Sequence, residues 1–128
     1  MIPMDNYQAL QFFWESFGVE AYDDQTVFNE GNLPAFPHIT YESASGGYLN
    51  SATLSASIWD RTATWGCLKQ KAEEIKRYIG YGGKQIKTDG GYLWIKLPES
   101  TRFDWPEDSG EDGVLRIRIN IEVDFLTT

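Results

Sequence analysis

The chain is poor in the residues that most often do chemistry. It has one cysteine, Cys67, and one histidine, His38, in 128 residues. A single cysteine excludes an internal disulfide framework and any cysteine-rich metal site. A lone histidine, with no second ligand cluster or nucleophile near it in sequence, reads as a structural or surface residue. Long apolar runs are missing as well. Nothing approaches the ~20 residues of a membrane-spanning helix, and the N-terminal stretch has neither the length nor the basic flank of a signal peptide. The expectation is a chain that is cytosolic when made and has no membrane partner. Cations are scarce: 11 Lys and Arg stand against 19 Asp and Glu, for a net charge of −8. Such a surface repels free nucleic acid, so a sequence-reading DNA binder is not expected. A negatively lined passage through which DNA slides without sticking stays compatible with it.

What is present is aromatic and strongly patterned. Aromatics make up 15% of the chain, more than a minimal core requires and in keeping with a protein that buries surface against partners. The length suits one domain, 1–128. In "MDNYQALQFFWESFG", Asp5 stands three residues ahead of Gln8 in a capping-box arrangement. Ala9, Leu10, Phe13, Trp14 and Phe17 fall on one helical stripe that stops at Gly18. The passage holding Pro34 and Pro37 reads as extended chain and loop, settling into a strand near Ile39 to Tyr41 that begins late or runs along an edge. In "TLSASIWD", Leu54, Ala56 and Ile58 alternate with Ser55, Ser57 and Trp59, which predicts a second strand. Trp65, Leu68, Ala72, Ile75 and Ile79 then recur at spacings of four and three, predicting an amphipathic helix from about Thr64 to Tyr78 ended by glycines. "KQIKTDGGYLWIKLP" reads as a hairpin about Asp89 to Gly91, with Leu93, Ile95 and Leu97 facing the core. The order is helix, two strands, helix, three strands: an α+β protein, mainly an antiparallel sheet packed against two helices.

The closing stretch "GVLRIRINIEVDF" alternates over its whole length. Leu115, Ile117, Ile119, Ile121, Val123 and Phe125 point one way; Arg116, Arg118, Asn120, Glu122 and Asp124 point the other. The apolar face needs a core. The charged face, of both signs, has two readings: a boundary with another subunit, where Arg116 and Arg118 meet acids of its 107–112 loop and Glu122 and Asp124 meet its lysines, or cross-strand pairs inside one chain.

No catalytic constellation emerges. Cys67, in the first turn of the second helix, reads as a small packing residue beside Leu68 and Trp65. "IGYGG" follows a helix instead of preceding one, so its amides would not cradle a phosphate. The acidic run Asp104, Glu107, Asp108, Glu111, Asp112 lacks the alternate spacing of a calcium loop and is broken by Trp105 and Pro106, which makes it a solvated or partner-facing loop. Asp23 with Asp24 and Glu73 with Glu74 are adjacent and diverge, unlike an acid and base couple. The reading is therefore no enzyme, no cofactor and no metal. Assembly features remain. Tyr48 and Leu49 sit in the polar loop "ESASGGYLNSA", either as anchors on a neighbour or folded back on their own domain. Tyr41, Trp59, Tyr92 and Trp94 are placed on outward strand faces, a reading that requires the sheet to have an open side.

Taken in order, "FPHITYE", "SASIWD" leading into an amphipathic helix, "DGGYLWIKLP" and the closing "RIRINIEVDF" make the chain resemble, from about Met4 to Phe125, the tail terminator and tail-completion proteins of long-tailed, siphovirus-type bacteriophages. The resemblance implies a non-catalytic structural virion protein. Such a protein forms a hexameric ring at the head-proximal end of the tail tube, stops tube polymerisation, and offers the docking face for head joining. Its implied partners are further copies of itself, the tail tube protein and a head-completion or connector protein, with DNA passing through without sequence-specific binding. Its implied place is the head-proximal end of the tail, after assembly in the host cytoplasm. The residues then expected at subunit or tube interfaces are Tyr48, Leu49, Glu107, Asp108, Glu111, Asp112, Arg116, Arg118, Glu122 and Asp124. Two alternatives stay open: a head-tail connector or tail tube protein, and a cytosolic small-ligand-binding or enzymatic α+β domain.

Overall fold

A computed structural model describes residues 5–23, 36–42, 51–61, 65–99, 102–107 and 113–127. The elements run α1 (Asn6–Glu15), β1 (Glu20–Asp23), β2 (His38–Tyr41), β3 (Ser51–Asp60), α2 (Trp65–Ile79), β4 (Lys84–Thr88), β5 (Gly91–Lys96), β6 (Asp104–Glu107) and β7 (Leu115–Thr127). This is an α+β fold in which a curled, mostly antiparallel sheet packs against two helices. The sheet order is β1-β2-β3-β7-β5-β4, with β6 pairing β7 as well. Among the described strands, only β1 and β2 run parallel.

The long alternating segment becomes the centre of the sheet. β7 pairs with β3 from Leu115 to Asp124, with β6 from Arg116 to Ile119, and with β5 from Glu122 to Thr127. Its register puts Ile117, Ile119 and Ile121 beside Ile58, Ala56 and Leu54, and the three isoleucines and Val123 are fully buried. Each such side chain contributes about 1.5–3 kcal/mol of burial.

Both helices lie on that apolar face. α1 starts as its sequence requires: Gln8 N donates to Asp5 Oδ1 at 2.8 Å and Asp5 N to Gln8 Oε1 at 3.0 Å, closing a capping box. Ala9, Leu10, Phe13 and Trp14 are buried, and the chain turns at Gly18, whose φ of 79° suits glycine. α2 buries Leu68, Ala72, Ile75 and Ile79 and ends at Gly80, with φ 74°. The two helices meet through Phe13, Phe17 and Tyr78, whose rings lie 5.1–5.9 Å apart. α1 touches both β1 and β4, the two ends of the strand order, because the sheet curls around it.

Several expectations are corrected. Tyr41 faces the helices: it is buried, stacks on Trp14 with ring centres 6.2 Å apart, and its hydroxyl donates to Gln11 Oε1. Cys67 and Trp65 are exposed, because the buried stripe of α2 begins at Leu68. β2 begins right after Pro37, and it is an interior strand covered on its outer side by β1. Two four-residue strands, β1 and β6, were not expected; neither alternates long enough to show a period, and β6 contains Pro106.

Candidate functional site

The opposite face of the sheet bears no helix among the described residues, since both helices share one core cluster. Its side chains are fixed by strand alternation: each outward residue of β7 from Arg116 to Asp124 lies beside an outward residue of β3, and all but Asn120 also beside one of β6 or β5. Arg116 has Trp59 and Glu107 as register neighbours, Arg118 has Ser57 and Trp105, Asn120 has Ser55, and Glu122 has Thr53 and Lys96.

The positive end of this face is a network within one chain. Glu107 receives both arginines, with Arg116 Nη1 3.2 Å from Oε2 and Arg118 Nη1 3.3 Å from Oε1. Arg116 Nε donates to Ser57 Oγ at 2.9 Å and its guanidinium lies 4.7 Å from the centre of the Trp59 ring. Arg118 Nη2 donates to Ser55 Oγ at 3.0 Å, and Ser55 Oγ donates to Asn120 Oδ1 at 2.8 Å. Asn120 Nδ2 in turn holds the Arg102 carbonyl at 3.0 Å, anchoring the entry to β6. Trp59 Nε1 donates to Thr40 Oγ1 at 2.9 Å. Arg116, Arg118, Trp59, Thr40, Glu42 and Ser57 surround an open groove of about 360 Å³. Two guanidiniums and the carboxylate of Glu42 line it, and Glu107, beside the groove, pairs with both arginines. Arg118 Nε points to no hydrogen-bond partner among the described residues.

Toward the other end of β7 the sign changes. Asp124 Oδ2 takes a salt bridge from Lys96 at 2.8 Å, and this bond, with Glu122 and Glu99 nearby, holds the Lys96 ammonium above its usual pKa. Lys96 also lies 4.8 Å from the centre of the Trp94 ring. Glu122 Oε1 accepts from the Glu99 amide at 3.3 Å. A shallow depression of about 340 Å³ opens among Thr53, Lys96, Glu122 and Asp124.

The structure thus brings together five of the expected interface residues, Glu107, Arg116, Arg118, Glu122 and Asp124, on one face. It gives Arg116, Arg118 and Asp124 partners of opposite charge from their own chain. Tyr48, Leu49, Asp108, Glu111 and Asp112 lie outside the described residues. The sequence placed the serines of β3, Asn120 and Lys96 on outward strand faces but did not mark them as part of the site. The run of small polar residues alternating with apolar ones in β3 was the signal for the serines.

His38 is buried on this face, stacked on Trp59 with the rings 12° from parallel and flanked by Phe36 and Tyr22. That is an aromatic packing site, not a solvent-facing base. Among the described residues no group of three or more His, Cys, Asp or Glu is placed to hold a metal ion, and no helix is long and apolar enough to cross a membrane. What the face offers is a wide, hydrogen-bonded polar surface of mixed sign with three tryptophans set into it. No protein-family model matches the chain, and no curated protein matches it.

Proposed function

We propose that the chain is a non-catalytic subunit of a long-tailed phage tail, a terminator that closes into a hexameric ring at the head-proximal end of the tail tube. The observation that carries the reading is the open sheet face, where charged groups of both signs are held in fixed geometry beside Trp59, Trp94 and Trp105. Charges already held by neighbours in their own chain steer and select a partner more than they add affinity, and half-buried aromatics supply anchoring area. The order of motifs, which resembles that of terminator and tail-completion proteins, supports the same reading. Further copies of the chain, the tail tube and a head-completion protein are its partners in this proposal, and DNA passes through without being read.

Electron microscopy of particles made without the chain tests it. Filled heads beside unjoined tails of runaway length are expected. Normal joined particles overturn the proposal. Purified protein that polymerises into long stacked tubes would identify a tube subunit instead.

A further inference from the structure

The two ends of the sheet carry opposite charge and opposite shape. At the β4 end, the turn after α2 projects Tyr81 fully into solvent. The turn is held rigidly: Gly80 N donates to Lys76 O at 3.0 Å, Gly83 N to Gly80 O at 3.3 Å, and Trp94 Nε1 to Gly82 O at 3.0 Å. Gly83, with φ 84°, packs so closely that a Cβ there would stand 2.4 Å from Trp94 Nε1 and 2.8 Å from Ile95 O. Lys76 and Arg77 stand in the last helical turn of α2, ahead of Tyr81, with Arg77 3.8 Å from Glu73, and Lys84 follows the tyrosine with its ammonium 4.8 Å from the centre of the Tyr78 ring. At the β1 end, a groove of about 630 Å³ runs between α1 and β1. Val19 and Ala21 form its apolar part, and Glu15, Glu20 and Asp23 supply carboxylates along it.

We propose that Tyr81 of one copy seats in the α1–β1 groove of a second copy, with Arg77 and its neighbouring lysines facing the groove's carboxylates. An exposed aromatic on a stiff turn loses little conformational entropy on docking, which is the property of an interface anchor. The groove lies within the roughly 300–1,000 Å³ of pockets that enclose compact ligands, enough for one aromatic ring and its flanks. Charge complementarity selects a second copy as the occupant: the knob's surroundings are basic while the chain as a whole carries −8. A contact between two different patches is also what closes a ring head to tail. This contact deepens the ring reading and rests on it for its symmetry, not for its chemistry.

The test places the photoreactive residue p-benzoylphenylalanine at position 81 of the full chain, which keeps an aromatic ring there. The protein is irradiated at high concentration, and on assembled particles, mixed with isotope-labelled chain to mark links between copies. Mass spectrometry is expected to find cross-links in the 15–23 segment of the other copy, and Tyr81→Ala, which removes no buried group, is expected to weaken association about 10-fold or more. Links confined to other segments, or no links in either setting, overturn the contact. Product size separates it from the ring reading: a ladder of covalent species reaching six supports both, whereas cross-linked 15–23 peptides found only in dimers keep the contact and remove the ring.

Discussion

Gly83 shows how one atom can fix a turn. Its φ of 84° is costly for any side chain, and an added Cβ would meet an indole nitrogen and a backbone carbonyl, neither of which can swing aside. Gly83→Ala is expected to cost at least about 2 kcal/mol, read as a lowered denaturation midpoint, whereas the same change at Gly82, which meets nothing within 4 Å, is expected to be nearly neutral. Tyr41 gives a second prediction at this scale. Burial, with the carboxylates of Asp23 and Glu15 adding to it, pushes its phenol from 10.0 up to about 12. Because the folded pKa is the higher one, the folded state holds the proton more tightly. The contribution is therefore complete below pH 10 and is lost as pH rises through about 12. An absorbance titration of phenolate should show a latest step that is absent in Tyr41→Phe, while Tyr22, raised chiefly by its hydrogen bond to Glu20, still titrates late in the variant; an unchanged latest step in the variant would contradict the assignment.

Among the elements, β7 dominates. It is joined to three other strands and holds four fully buried apolar residues, so Ile119→Ala is expected to destabilise by about 2–5 kcal/mol in denaturant unfolding. On its other face, Glu107→Gln removes the carboxylate charge shared by two guanidiniums. We expect a loss of about 1–2 kcal/mol, since all three side chains are about a third exposed, and a stability less sensitive to salt than that of the parent. An unchanged salt dependence would count against the network. These elements also show what a sequence exposes. The strict alternation of residues 115–125 revealed both faces of β7, and the four-and-three spacing of Leu68, Ala72, Ile75 and Ile79 revealed α2, because a period needs several turns or pleats to register. β1 and β6, four residues each, are strands only because neighbours offer them hydrogen bonds. Tyr41 was assigned to the wrong face for a related reason: in so short a segment the alternation can be entered in either phase, and only its partner Ala56 decides. Glu107 was legible as an acid near the arginines, but its capture by its own chain depends on β6 lying beside β7, which no local pattern announces.

Among the described residues, helices cover the sheet on one side only. α1 and α2 seal the concave apolar face, while the other is polar and closely hydrogen-bonded, with its arginines partly exposed and His38, Ser57 and Asn120 buried. The oligomer proposed here would bring the acidic β1 end of one copy to the basic β4 end of the next, so association should weaken as ionic strength rises. Sedimentation across a salt series is expected to show assemblies giving way to smaller species, and assemblies indifferent to salt would argue against charge-matched ends. The one-sided cover has an optical consequence too. Of the five tryptophans, Trp14 is sealed in the core and Trp65 is exposed on α2, whereas Trp59, Trp94 and Trp105 are set in the face that bears no helix among the described residues. Any visitor that settles there would dry out three fluorophores at once and leave the other two untouched, so the protein's own emission would report, without a label, when that side is occupied.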